Sequence, residues 1–172
     1  ILGFVDEFTP DAVLYGWHGG MMGGLGTADV LLGKVSPSGK LTDTIAYAIK
    51  DYPSDPNFGD QNRDFYCEDI YVGYRYFETF AKDQVRYPFG YGLSYTEFAL
   101  EDMSASRSGE CVEAEVTVIN RGARPGREVV QLYAELPQGK LGKPARTLAA
   151  FSKTRVLQPG DMQRVRLTVR IA

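Results

Sequence analysis

After residue 98 the hydrophobic period of this chain becomes two, and no other feature constrains its fold as strongly. In CVEAEVTVIN, residues 111–120, Val112, Ala114, Val116 and Val118 share one face, while Glu113, Glu115 and Thr117 share the other. QRVRLTVRI, residues 163–171, alternates in the same way, with Val165, Leu167, Val169 and Ile171 against Arg164, Arg166, Thr168 and Arg170. Successive residues of a strand point to opposite faces, so each run is a strand with one buried side. REVVQLYAEL, residues 127–136, is more evenly apolar, as a central strand is, and NRGARPG and LQPGD are turns. Short strands with Gly/Pro turns and no helix describe an antiparallel β-sandwich. The expected register buries Val112, Val116, Val118, Val165, Leu167 and Val169, because a slip of one residue would turn the apolar face to water.

The first hundred residues follow different rules. Ala12–Tyr15 is a short apolar run read as a strand, and a glycine-dense turn runs from Gly16 to Gly26. TADVLLG follows with Ala28, Leu31 and Leu32 at helical spacing and Gly33 as a C-terminal stop. Strand, glycine loop and helix make an α/β unit, and such loops sit where open α/β sheets place ligands. Residues 51–64 are a long polar loop, and YPFGYGLSYTEF, residues 87–98, is an ordered aromatic connector. Charge changes sign at the same place: residues 1–100 carry 7 Lys/Arg against 14 Asp/Glu, and residues 101–172 carry 12 against 8. The fold class is therefore α/β plus all-β, in two modules.

The balance of −3 gives no case for nucleic acid or an anionic membrane as partner, and no apolar run approaches the roughly 20 residues of a membrane span. The two cysteines, Cys67 and Cys111, have no metal spacing around them and are expected as free thiols. They leave the compartment open between cytoplasm and secretion. The chain starts without Met and ends inside a strand pattern, so a piece of a longer protein is expected, with strands of the second module missing and an unpaired edge at Ala172.

YCEDIYVGYRYFET, residues 66–79, crowds four tyrosines into eleven positions beside Glu68 and Asp69. Glu68 would stand at the mouth of an aromatic strand or turn. Aromatic walls stack on sugar rings and desolvate a neighbouring carboxyl, as the general acid of glycoside cleavage requires. A surface Glu beside a packed strand is the competing reading, and from composition alone it is favoured. Asp69 and Arg75 are expected as a structural ion pair. WHGGMMGG matches neither a Walker loop nor the dinucleotide fingerprint, so its glycines serve close backbone approach. His18 is the only histidine, which excludes a Ser-His-Asp triad or a multi-histidine metal site within this chain. Trp17 is equally a core residue or a sugar platform. No cofactor or metal is implied.

DAVLYGWHGGMMGGLGTADVLLGKVSPSGKLTDT and YCEDIYVGYRYFET resemble the C-terminal α/β-sandwich domain of glycoside hydrolase family 3. YPFGYGLSYTEF resembles the exit from that domain. VINRGARPGREVVQLYAELP and TLAAFSKTRVLQPGDMQRVRLTV are similar to the fibronectin-III-like domain that accompanies it in many β-glucosidases. Met22 and Leu25 depart from the family pattern, which has Glu and commonly Asn there. The resemblance implies residues 1–98 as a partial α/β-sandwich domain with its connector, and residues 99–172 as an incomplete fibronectin-III-like sandwich.

It further implies a retaining β-glycosidase with carbohydrate as substrate, in which Glu68 is the general acid/base. Tyr66, Trp17 and His18 would be substrate-binding. The nucleophile, an Asp, would come from a (β/α)₈ barrel domain absent here, so the chain alone would be inactive. A non-catalytic glycan- or protein-binding module remains the alternative, and a secreted adhesion-type sandwich would explain only the second half.

Overall fold

The computed structural model describes residues 2–63 and 65–171; Ile1, Ala172 and Asp64, the last position of the expected polar loop, lie outside the described residues. The chain forms two compact units. The first gathers residues up to Val13, Lys40–Tyr91 and Tyr133–Thr147; the second gathers Leu14–Gly39, Gly92–Leu132 and Leu148 onward.

In the first unit, helix α1 (Phe4–Phe8) precedes a two-stranded antiparallel sheet of β1 (Ile45–Ala46) and β2 (Val85–Tyr87). Helix α3 (Tyr74–Phe80) packs on that sheet. Its Phe77, 1% exposed, forms a core with Ala46 and Ala81, and Tyr52, Tyr76 and Val85 close around it. Arg86 of β2 donates to Asp6 of α1 at 2.6 Å, and that hydrogen bond holds the Asp6 carboxyl below its ordinary value.

Helix α2 (Gly23–Leu31) belongs to the second unit and begins three residues before the end of the expected glycine turn. Gly19 explains the glycine content locally: a Cβ there would lie 2.7 Å from the Gly23 Cα, so only bare backbone fits. The stop at Gly33 is as expected. Gly33 has φ 69°, its N–H reaches the Val30 carbonyl, and the Lys34 N–H reaches that of Asp29, a Schellman closure. Ala12–Tyr15 is not a strand: it has no ladder partner among the described residues, and Val13, Leu14 and Tyr15 are exposed.

The rest of the second unit is a β-sandwich. One sheet has the order β3 (Phe98–Ser108), β4 (Cys111–Asn120), β7 (Met162–Arg170); the other joins β5 (Val129–Ala134) and β6 (Thr147–Lys153). Val112 pairs with Val169, Ala114 with Leu167 and Val116 with Val165, the register expected from the alternation. Val116, Val118, Val165 and Leu167 are buried with Val130 and Leu157 between the sheets. Val112 and Val169 are half-buried rather than buried, because they stand towards the Cys111–Arg170 end of the ladder, away from the residues that cover the centre. On the outer face Arg166 lies opposite Glu115 and bonds to it, while Arg170 reaches Glu110 at 3.1 Å.

Asn120, 1% exposed, ties the turns of this unit together. Its side-chain amide donates to the carbonyls of Arg124 and Leu157 at 2.8 and 2.9 Å and accepts from the Thr96 hydroxyl at 2.7 Å. Gly122 is required beside it, since a Cβ would meet the Thr96 Oγ1 at 2.3 Å.

Leu157 is 0% exposed and Leu141 is 99% exposed. Leu157→Ala should therefore lower unfolding free energy by about 2–5 kcal/mol, and Leu141→Ala by less than about 0.5, in urea titrations. Asp161 offers a pH test. The Arg155 guanidinium and the Gln158 N–H hold its carboxyl below the ordinary 3.8. A depressed carboxylate contributes stability above its ordinary value and loses it as pH falls through the folded one. Asp161→Asn should thus be less stable than the native protein at neutral pH, with the gap closing below about pH 3.8; a gap independent of pH would contradict the assignment.

Candidate active site

Glu68 sits on a turn, Cys67–Ile70, whose closure is the Tyr71 N–H to Glu68 carbonyl bond at 2.8 Å. Asp69 follows with φ 50°, and Gly73 has φ 59° and ψ −129°. The Gly73 conformation is open to glycine and costly for other residues, and it turns the chain directly into α3. The run Tyr74–Phe80 is thus a helix and not the aromatic strand that alternation suggested. The Glu68 side chain is half-buried, and no hydrogen bond or ion pair engages its carboxylate among the described residues. Asp60 contrasts with it, since backbone N–H groups of Asn62 and Arg63 hold that carboxyl below its ordinary value.

The four tyrosines of the segment divide by task. Tyr74 stacks on Phe89 with centroids 4.5 Å apart, Tyr76 meets Phe77 edge-on at 5.4 Å, and Tyr71 leans on Phe80 at 4.9 Å. Those three serve packing. Tyr66 is 86% exposed and is the one whose ring stays open to a ligand. Asp69 and Arg75 do not form the expected ion pair; Asp69 occupies the left-handed position of the turn, and Arg75 lies in the first turn of α3.

Trp17 and His18 belong to the second unit and are exposed. Trp17 has φ 48°, a strained value for a bulky residue, and the Tyr15 ring stands edge-on to it at 4.7 Å. It is not a core residue. Met22 heads α2 with no side-chain cap, so the departure at this position leaves the helix start to the Gly23 N–H bond to Gly20. Both cysteines are free, and no cluster of three His, Cys, Asp or Glu side chains that could hold a metal occurs among the described residues.

The sequence reading missed the segment between β5 and β6. Tyr133–Thr147, which takes in the last two residues of β5 and the first of β6, clusters with the first unit, the unit that holds α3. Arg146 makes an ion pair with Glu78 and lies over the Tyr133 ring at 5.0 Å. The Ala145 N–H donates to Thr79 Oγ1 at 2.9 Å. Pro137, Gly139, Gly142 and Pro144 were the available signal, since a long interruption of a strand pair usually has a task.

Residues 4–95 match the model of the glycosyl hydrolase family 3 C-terminal domain, and residues 128–172 match that of the fibronectin type III-like domain. The chain belongs to glycosyl hydrolase family 3. It is 58% identical to a beta-glucosidase of Ruminococcus albus over 168 residues, covering 98% of this chain and 18% of that protein. A crystallised beta-glucosidase from Paenibacillus barengoltzii superposes with TM-score 0.91 at 50% identity, over 98% of this chain and 19% of its own. Beta-glucosidase 3B from Thermotoga neapolitana, solved in complex with alpha-D-glucose, superposes with TM-score 0.81 at 44% identity, over 87% and 21%. The chain thus spans about a fifth of the length of these relatives. It is a fragment that matches the C-terminal region of family 3 beta-glucosidases.

Proposed function

We propose that this chain supplies the general acid/base of a retaining β-glucosidase, and that the acid/base is Glu68. The observation that carries the reading is the Glu68 carboxylate itself: half-buried, on a turn fixed by backbone and helix, bound to no other group among the described residues, two positions after the exposed Tyr66. A structural carboxylate of this unit looks different, as Glu78 does with Arg146 and Lys82 on it. The relatives named beta-glucosidase support the substrate class, a terminal β-linked glucose.

The chemistry is double displacement. The Glu68 carboxylic acid gives its proton to the glycosidic oxygen as the C1–O bond breaks and a carboxylate nucleophile attacks C1. The resulting Glu68 carboxylate then takes a proton from the water that attacks C1 and releases the nucleophile. That nucleophile is an Asp of a (β/α)₈ barrel in the remainder of the parent protein. Tyr66, exposed on the segment that carries Glu68, binds the carbohydrate on the leaving-group side; Trp17 and His18, exposed in the second unit, are carbohydrate-binding residues in their own right.

Because one carboxylate cannot complete two displacements, the 172-residue chain alone should not hydrolyse aryl β-glucosides; sustained turnover by the purified chain would place the nucleophile here and overturn the scheme. In the full-length parent, Glu68→Ala should depress kcat/KM for alkyl glucosides by roughly 10²–10⁴-fold while sparing substrates with activated aryl leaving groups, which need little protonation. On the activated substrate kcat should fall through the second step, and azide should restore it by replacing water without needing a base. Equal losses on both substrates, with no effect of azide, would remove Glu68 from the role.

A further inference from the structure

The turn that carries Glu68 has no core of its own. Cys67, Asp69 and Ile70 are exposed, and its position is inherited from Tyr71 and α3. One side of α3 is held by Phe77 in the core of the first unit. Tyr74 also stacks on Phe89, and a further set of contacts comes from a distant part of the sequence, the end of β5 and the excursion that follows it to β6.

Those contacts reach α3 and Tyr71 at four points. Tyr133 meets Tyr74 edge-on at 6.2 Å. Arg146 bonds to Glu78, whose side chain is only 16% exposed and also receives Lys82 at 3.7 Å. The Ala145 N–H bonds to Thr79 Oγ1, which itself donates to the Arg75 carbonyl at 2.6 Å. Gly142, with φ 71°, backs onto Tyr71 so closely that a Cβ would lie 2.9 Å from its hydroxyl. Tyr71 is the residue whose N–H closes the Glu68 turn. The excursion is braced internally as well: Gln138 and Lys143 exchange two hydrogen bonds, 3.0 and 3.2 Å long, across its tip.

We propose that this excursion is part of the acid/base apparatus, with Arg146 and Gly142 as positioning residues that aim the Glu68 carboxyl through α3 and Tyr71. The inference rests on the reading of Glu68 given above and extends it to a segment that the strand pattern assigns to the sandwich. Its physical basis is the narrow tolerance of proton transfer. A general acid works within hydrogen-bond reach of the leaving oxygen, and a displacement of about 1 Å costs as much as 10²-fold. In kcat/KM, which reports the first displacement, a shift of the acid is felt only where the leaving group needs the proton. Arg146 and Gly142 are suited to setting that aim because Arg146 is held between Glu78 and the Tyr133 ring, and any side chain at Gly142 would press on the Tyr71 hydroxyl. A guanidinium held between a carboxylate and an aromatic face is restrained in orientation, and a Cβ at Gly142 would displace the phenol of Tyr71.

The test uses the full-length parent enzyme and four variants, Arg146→Met, Arg146→Lys, Gly142→Ala and Glu68→Ala, each assayed for kcat/KM on an alkyl and an activated aryl β-glucoside, with melting temperatures in parallel. Arg146→Met and Gly142→Ala should each lose roughly ten- to hundredfold on the alkyl glucoside and stay within about threefold of the native enzyme on the aryl one. Arg146→Lys, which keeps the charge towards Glu78, should recover part of the alkyl activity. Equal losses on both substrates, or native values on both, would overturn the inference and leave the excursion as a packing element. Removing Arg146 leaves the partly buried Glu78 with Lys82 alone, so if Arg146→Met does not fold, Gly142→Ala decides by the same two ratios. Glu68→Ala separates the two layers: if it shows the leaving-group split and the positioning variants do not, only the positioning falls. If Glu68→Ala itself lacks the split, the assignment of the acid/base falls first.

Discussion

A seven-residue helix cannot stand alone, and the whole candidate site depends on what holds α3 in place. Isolated helices shorter than about 12–15 residues are marginal in water, so α3 exists because its neighbours make it. Phe77 is its anchor. Burying one such ring contributes roughly 1.5–3 kcal/mol, and the Tyr52 ring stands edge-on to it at 5.5 Å while its own hydroxyl joins Thr44 and Ala46 of the β1 region. The Glu68 turn is built outward from that anchor through Gly73 and Tyr71. The order of dependence runs from an apolar core to a helix, from the helix to a turn, and from the turn to a carboxylate with no competing partner among the described residues.

The second unit reaches its order differently. Its sandwich core is apolar and regular, but the ends of its strands meet at Asn120, a buried amide with its donors and its acceptor used. A buried polar group is favourable only when satisfied, and Asn120 is satisfied by three separate segments, so it specifies how those segments meet. The outer face adds charge pairs such as Glu115 with Arg166. Their arginines are well exposed, and such pairs bring little stability. Their charges do keep the face polar and so mark which side of the sheet meets water.

The β-ladder was legible in the sequence because period two is a local signal with a single consequence. Val116, Val118, Val165 and Leu167 could be placed from alternation alone, and the glycine stop at Gly33 from its position after a helical stripe. The site was only half legible. The Tyr-x-Glu segment marked Glu68, yet its aromatic content pointed to a strand, where Tyr74, Phe77 and Ala81 in fact form a helical stripe that the alternation of Ile70, Val72, Tyr74 and Tyr76 concealed. Glycine density suggested a loop through Gly26, and tertiary contact at Gly19 and Gly23 let a helix begin earlier than propensity favours. The clasp of Arg146 on Glu78 was not legible at all. Its partners are 68 residues apart, and nothing local in either segment names the other.

The most direct test of the account is a crystal structure of the full-length enzyme, its barrel nucleophile disabled, holding an intact β-glucoside. The account predicts a Glu68 carboxyl oxygen within about 2.6–3.2 Å of the glycosidic oxygen, the reach of a general acid. A bound glucoside whose glycosidic oxygen meets a different carboxyl, with Glu68 turned away to solvent, would contradict it.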